Sequence, residues 1–326
     1  MVDRANKPGA LSVSKVIGRD SGVVEIKDDR VKISLPSGES AEVLLYGATV
    51  ISWVADGAER LFLSKEAKLD GTKAVRGGVP LVFPVFGKAT EGPCAKLPQH
   101  GFARISKWDV LGWNVLGDEE REPSVQVDFV LDSHNLTVEW PLKPEANDQP
   151  YQPYAFSLMY SVILKRNSLE TKLRVSNEEP EESEEPKNDR AFDFNALFHT
   201  YLRVADVTKL GVTGLKGVSY KDKVEGGAEA TEERDELTVA SEVDRVYANV
   251  PGTVVVKEGD RTLYTVERQN LEDVVVWNPW TGAAKIGDFS PDDGYMNMLC
   301  VEAGAVSSWH KLMPGDSWEG GVTISL

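Results

Sequence analysis

Cysteine is scarce in this chain: there are two in 326 residues, Cys94 and Cys300. That excludes a disulfide framework and suits a reducing compartment. No apolar run approaches the roughly 20 residues that a membrane-spanning helix needs, which excludes a membrane protein. The apolar core of a signal peptide is missing as well. Residues 1–22 mix Arg4, Lys7, Lys15 and Arg19 with Asp3 and Asp20, so they read as a flexible tail, with a transit peptide as the alternative. The expected location is the cytoplasm. A basic footprint is also lacking, since 36 basic residues face 52 acidic ones for a net charge of −16. A nucleic-acid partner is therefore not expected. Short motifs are missing too: GxGxxG and GxxxxGK[ST] for nucleotides, HExxH and CxxC for zinc, and GxSxG for a hydrolase serine. No metal and no cofactor are expected.

The composition that is present, 41% hydrophobic and 27% charged, is that of a globular protein. Its dominant pattern is the short strand. Leu169–Val175 and Ser124–Leu131 alternate apolar and polar residues. Segments 23–26, 31–35 and 41–54 are rich in β-branched residues. Thr253–Val256 and Thr262–Val266 flank Glu258-Gly259-Asp260, a hairpin turn, and a last strand is expected over Gly321–Leu326. A sustained helical period is absent; Ser64–Leu69 and Thr238–Val246 are each a candidate short helix or turn. Two acidic runs, Glu178–Glu185 and Val224–Glu236, read as solvated loops between similar strands rather than linkers. The expected fold is all-β, a large antiparallel β-sandwich, with residues 23–326 as a single domain.

Acid–base chemistry is what the remaining residues suit. Four histidines occur, at positions 100, 134, 199 and 310. With 192–199 as a strand, Phe192, Phe194, Ala196 and Phe198 share the core face. Asp193, Asn195, Leu197 and His199 then share the other, which Tyr201 and Arg203 continue. His199 faces either a polar binding surface or plain solvent. Glu302 ends the apolar run Met298–Val301 and precedes Ala303-Gly304. There it is either a shielded general base of raised pKa or a strand-end carboxylate turning outward. Arg76, before Gly77-Gly78, and Arg104, closing Leu97–Arg104, suit a phosphate or carboxylate but equally suit ion pairs with the abundant acids. Trp277-Asn278-Pro279-Trp280 offers aromatic planes for a sugar face or for core packing.

Five stretches in order, Val75–Gly87, Leu97–Arg104, Leu197–Tyr201, Val276–Trp280 and Val301–Gly304, together resemble the aldose 1-epimerase (galactose mutarotase-like) superfamily. The similarity is greatest to hexose-6-phosphate mutarotases, or glucose-6-phosphate 1-epimerases, of fungal type, and it runs from about Val23 to the end. It implies a large β-sandwich with its site in a concave sheet. It also implies Glu302 as general base, His199 as general acid, and His100 and Asp244 as sugar ligands. Arg76 and Arg104 would hold a phosphate, and Gln99, beside His100, would be a further substrate ligand. Two departures are Ala303, where a proline is common, and the acidic runs, which look like insertions. The implied reaction interconverts the α and β anomers of a hexose 6-phosphate, with carboxylate and imidazolium on opposite sides of the sugar. The implied partner is that sugar phosphate as substrate; the chain itself is expected to be a monomer. The alternatives are an epimerase of free sugars, a non-catalytic sugar-phosphate binder, and a glycosidase- or lyase-like enzyme.

Overall fold

The computed structural model describes residues 23–116, 123–136, 138, 140, 153–178 and 190–326. The expectations for residues 1–22 and for most of the acidic run 178–185 lie outside the described residues. Every strand ladder is antiparallel, in three sheets. A meander of five strands comes first: Val23–Lys27, Arg30–Ser34, Ser40–Leu44, Thr49–Ala55 and Ala58–Glu59. The β-branched segment 41–54 falls in two of these strands, because Gly47 and Ala48 take positive φ and turn the chain.

Two larger sheets form the sandwich. Nine strands make the first, with Phe156–Lys165, Ser168–Asn177 and Ser317–Ser325 side by side near its middle and Asp109–Leu116 at one edge. The second runs, edge to edge, Ala228–Thr231, Ser219–Asp222, Val243–Tyr247, Asp273–Asn278, Met298–Leu312, Phe192–Phe198, Leu81–Val82; Tyr201–Arg203 also pairs with Met298–Leu312. The last two long strands, Met298–Leu312 and Ser317–Ser325, lie inside different sheets.

Aromatic contacts show which faces meet. Tyr160 of the first sheet lies 6.2 Å from Phe198 of the second, and Trp318 lies 5.4 Å from Phe194. Phe192, Phe194, Ala196 and Phe198 are all buried in this core, as their alternation predicts. The opposite face of the second sheet carries a smaller apolar patch, Val82, Leu197 and Val275, against which Phe86, Val246 and Val306 pack. His199 and Glu302 belong to that second face.

Two local expectations are corrected. Thr238–Val246 holds no helix; the sheets recruit its ends as strands Leu237–Thr238 and Val243–Tyr247. Val224–Glu236 is not simply a solvated loop. It contains the strand Ala228–Thr231, and Glu232 is 2% exposed, bonded to Arg234 and Tyr247. A charge run counts net charge and cannot show that Arg245 and Tyr247 of a later strand fold onto one of its carboxylates.

Candidate active site

Two glycine-rich loops and two strands meet over the second face. Gly78 sits at φ +67°, and a Cβ there would lie 2.1 Å from the Val50 carbonyl oxygen. Only glycine lets the loop lie against strand Thr49–Ala55, where Val79 N–H donates to Val50 O. This fixes Arg76 at the cleft. The same loop accepts bonds from His199 N–H (to Pro80 O, 3.0 Å) and Tyr201 N–H (to Gly78 O, 2.9 Å), so it carries arginine and histidine together. The second loop places His100 at φ +66° and Gly101 at φ +71°. The Gly87 N–H donates to His100 Nδ1 at 3.2 Å, which leaves Nε2 to hold the ring proton. The Gln99 side-chain nitrogen is 3.4 Å from that Nε2.

His199 and Glu302 are direct neighbours: Nδ1 and Oε1 lie 3.3 Å apart. They stand side by side rather than across a sugar from each other, which corrects the opposed arrangement expected from resemblance. Nδ1 of His199 and Oε2 of Glu302 are buried without a hydrogen-bond partner. The His199 ring stacks on Tyr201 (4.8 Å, 10°) and meets His100 and Trp277 edge-on at 6.0 and 5.8 Å.

Around this pair lie the charges. Arg76 Nε donates to Asp288 at 3.1 Å and its Nη1 to the Tyr201 hydroxyl at 3.2 Å. Lys73 pairs with the same Asp288 at 2.9 Å. Arg104 donates to the Gln99 carbonyl, while its Nε is buried with no partner. Asp244 pairs with Lys223 at 3.3 Å, and that ammonium also sits 5.0 Å over the Phe86 ring. So the Arg76 end holds three cations, Lys73, Arg76 and Arg104, against one carboxylate, Asp288.

Burial dominates the proton affinities. It pushes the Glu302 carboxyl well above its ordinary range, and nearby Asp244 adds to the rise. It pulls His199 well below, helped by His100, Arg104 and Arg76. His100 falls to about 3, first by burial and then by Arg104, Lys223 and Arg76. Arg104 falls to about 10, also by burial, and stays charged at neutral pH. For Arg76, burial works downward, but Tyr201 and Asp288 outweigh it and the net shift is upward.

Comparison with known proteins settles the kinship. The family model described as aldose 1-epimerase matches residues 29–325. The chain belongs to the aldose 1-epimerase family. Relatives within it include two proteins named "putative glucose-6-phosphate 1-epimerase". One, from Cenchrus ciliaris, is 34% identical over 290 residues, 87% of this chain and 80% of the relative. The other, from Escherichia coli K12, is 30% identical over 275 residues, 83% and 82% of the two chains. A solved Salmonella typhimurium structure, described as "a putative mutarotase", superposes with a TM-score of 0.74 at 27% identity, covering 94% of this chain and 93% of the other. A galactose 1-epimerase from Lactobacillus acidophilus shares the fold, with a TM-score of 0.61 at 15% identity over 93% and 97%.

The seven residues singled out in the sequence lie together: His199 meets Glu302 and His100, Gln99 adjoins His100, and the charges of Arg76, Arg104 and Asp244 act on His199 or Glu302. His134 and His310 do not join them: one is exposed beside Asp132, the other lies near Glu272 and Trp318. The tryptophan pair divides, Trp277 touching His199 and Trp280 packing on Tyr295. Asp288, Lys73 and Lys223 went unnoticed. Asp288 stands 212 positions from Arg76, a separation at which no local pattern links an ion pair. Tyr201 was noticed only as a continuation of the His199 face.

Proposed function

We propose that this protein interconverts the α and β anomers of a hexose 6-phosphate, chiefly glucose 6-phosphate, by acid–base ring opening. The observation that carries the reading is the contact of Glu302 with His199 beside a cluster whose formal charge, three cations to one carboxylate, is +2. That excess suits a phosphate dianion, and guanidinium groups bind phosphate through paired, charge-assisted hydrogen bonds. The names of the relatives point the same way.

Glu302 takes the proton of the C1 hydroxyl. The O–H electron pair becomes the second bond of the C1 carbonyl. The pair of the bond from C1 to the ring oxygen leaves with that oxygen, which receives a proton from His199. Rotation about C1–C2 turns the other carbonyl face, and reversed transfers close the ring. Both reacting oxygens are bonded to one carbon, so an acid and a base 3.3 Å apart on one side of the sugar can serve them both. His100, Gln99 and Asp244 hold the sugar hydroxyls in this scheme.

The raised Glu302 and lowered His199 favour the neutral pair, not the reactive carboxylate–imidazolium form. Burial depresses His199 most, and the charges of His100, Arg104 and Arg76 add to it. A phosphate bound to the two arginines offsets their share and makes imidazolium easier to form. The phosphate is thus a handle and also a means of charging the acid.

The test is two-dimensional NMR exchange between the anomers. Glucose 6-phosphate exchange should accelerate with wild-type protein and not with Glu302→Gln. Arg76→Ala should cost roughly 10- to 150-fold with the phosphosugar, from the loss of one charge-assisted contact of about 1.5–3 kcal/mol, and much less with glucose. Equal losses on both sugars would favour the free-sugar epimerase. No acceleration with either would leave a sugar-phosphate binder.

The same proposal takes residues 23–326 as one domain, with cytoplasmic location, no nucleic-acid partner and a monomeric state. Supporting it are the free buried cysteines and the acidic balance. Among the described residues no helix is long and apolar enough to cross a membrane.

A further inference from the structure

One neighbour of the catalytic pair has no task in this scheme. Cys300 precedes Glu302 by two positions on strand Met298–Leu312, so the two side chains leave the same face. It is a free thiol with no measurable exposure, flanked in register by Trp277 on one side and Tyr201 on the other. Its sulfur, one ring nitrogen of His199 and one carboxylate oxygen of Glu302 all lie within 4.8 Å of one another. Two polar atoms of the trio, His199 Nδ1 and Glu302 Oε2, are buried without a hydrogen-bond partner. Buried polar atoms left open in this way need an account.

We propose that His199, Cys300 and Glu302 form a three-ligand site for a thiophilic divalent cation, Zn²⁺ foremost, and that its occupation switches the acid–base pair off. The donor set argues for zinc. Imidazole nitrogen, thiolate sulfur and carboxylate oxygen are the three ligand types zinc takes, and three protein ligands leave a fourth position for water. Calcium and magnesium require oxygen ligands and would not use the sulfur. Bond lengths of about 2.0–2.3 Å put tetrahedral ligand atoms roughly 3.3–3.8 Å apart, so side-chain shifts of about 1 Å close the set. His199, 8% exposed, is the most accessible of the three ligands.

Binding replaces the thiol proton with a metal–sulfur bond and releases that proton to solvent, along with the Glu302 proton where the carboxyl carries one. The metal then holds the lone pairs that proton transfer uses. The inhibitory consequence rests on the proposed anomerase reading; the metal site itself does not.

The experiment uses the full chain, stripped of metal, as wild type, Cys300→Ser, Cys300→Ala and His199→Asn, with folding checked by circular dichroism. Zinc affinity is read by competition with a chromophoric chelator, and Co²⁺ is added separately to look for a thiolate-to-cobalt charge-transfer band. Expected are one zinc per chain in wild type and an affinity lower by about tenfold or more in each variant, at least the effect that outer-shell changes produce. The cobalt band should appear in wild type and vanish in both Cys300 variants. Equimolar zinc should slow glucose 6-phosphate exchange in wild type, reversibly on chelation, and leave Cys300→Ala at its metal-free rate. Absence of binding in wild type, or zinc binding that both Cys300 variants retain unchanged, overturns the site. Zinc bound through Cys300 with exchange undiminished overturns the switch. Absence of exchange in the metal-free wild type counts against the anomerase reading instead, and the metal arms still decide the site.

Discussion

At the residue scale, the buried Glu302 carboxyl couples function to stability. Its proton affinity is raised in the folded state, so the native chain holds that proton more tightly than the unfolded one. The stabilisation this gives is complete below the unfolded pKa and disappears as pH rises through the higher folded value. Glu302→Gln removes the dependence. The variant should therefore gain melting temperature over wild type at pH 8 and gain less at pH 5, even though it loses exchange activity. A melting difference that is flat with pH would sink this account. His100 behaves oppositely: lowered to about 3, it supports folding above its unfolded value near 6.5 and ceases to as pH falls toward 3. His100→Gln should flatten the acid side of the stability profile. A third outcome follows from the arginine field on His199. Glucose lacks a phosphate, so inorganic phosphite added in trans should speed glucose anomer exchange by the protein, and Arg76→Ala should abolish the gain.

The residues proposed as acid and base were legible because type and context coincide locally. His199 lies one step beyond an alternating strand, and Glu302 interrupts an apolar run. Neither signal alone distinguishes a site from a solvated side chain; the ordered set of five stretches is what singles them out. Their separation was not legible. Side-by-side placement at 3.3 Å arises because strand Phe192–Phe198 pairs with strand Met298–Leu312, Phe198 opposite Ala303. Pairing register is a property of two distant segments at once.

At the scale of elements, the strands were read through their period of two, and the misreadings fall where that period is broken. The turn at Gly47-Ala48 divides the β-branched segment 41–54, and Val243–Tyr247, with Asp244 and Arg245 at its second and third positions, resembles a helix or turn until it finds Asp273–Asn278. Loops carry the sharper test. Gly101 places a hypothetical Cβ 2.0 Å from the Phe83 carbonyl oxygen, whereas Gly259, at a hairpin turn with φ +59°, meets nothing within 4 Å. Gly259→Ala should cost only the left-handed backbone term of about 1–2 kcal/mol. Gly101→Ala must also move backbone, so it should cost clearly more by chemical denaturation and reduce exchange by displacing His100. Equal costs would show that the close approach does not matter.

Over the whole molecule, the sheets end differently. Asp109–Leu116 closes one side of the nine-stranded sheet with Leu111 60% exposed and Trp113 38% exposed. An apolar sheet edge is a template for unwanted pairing. Leu111→Lys should reduce light scattering on heating and leave anomer exchange unchanged; unaltered scattering would mean that aggregation starts elsewhere. The other consequence concerns Met298–Leu312 and Ser317–Ser325, consecutive strands joined by the short turn 313–316 that lie inside different sheets. Met298–Leu312 bridges Asp273–Asn278 to Phe192–Phe198, and Ser317–Ser325 bridges Arg261–Gln269 to Ser168–Asn177. Until this pair is placed, a folding chain carries two unfilled slots at once, each bordered by open strand edges prone to misassociation. One turn thus closes both layers of the sandwich together.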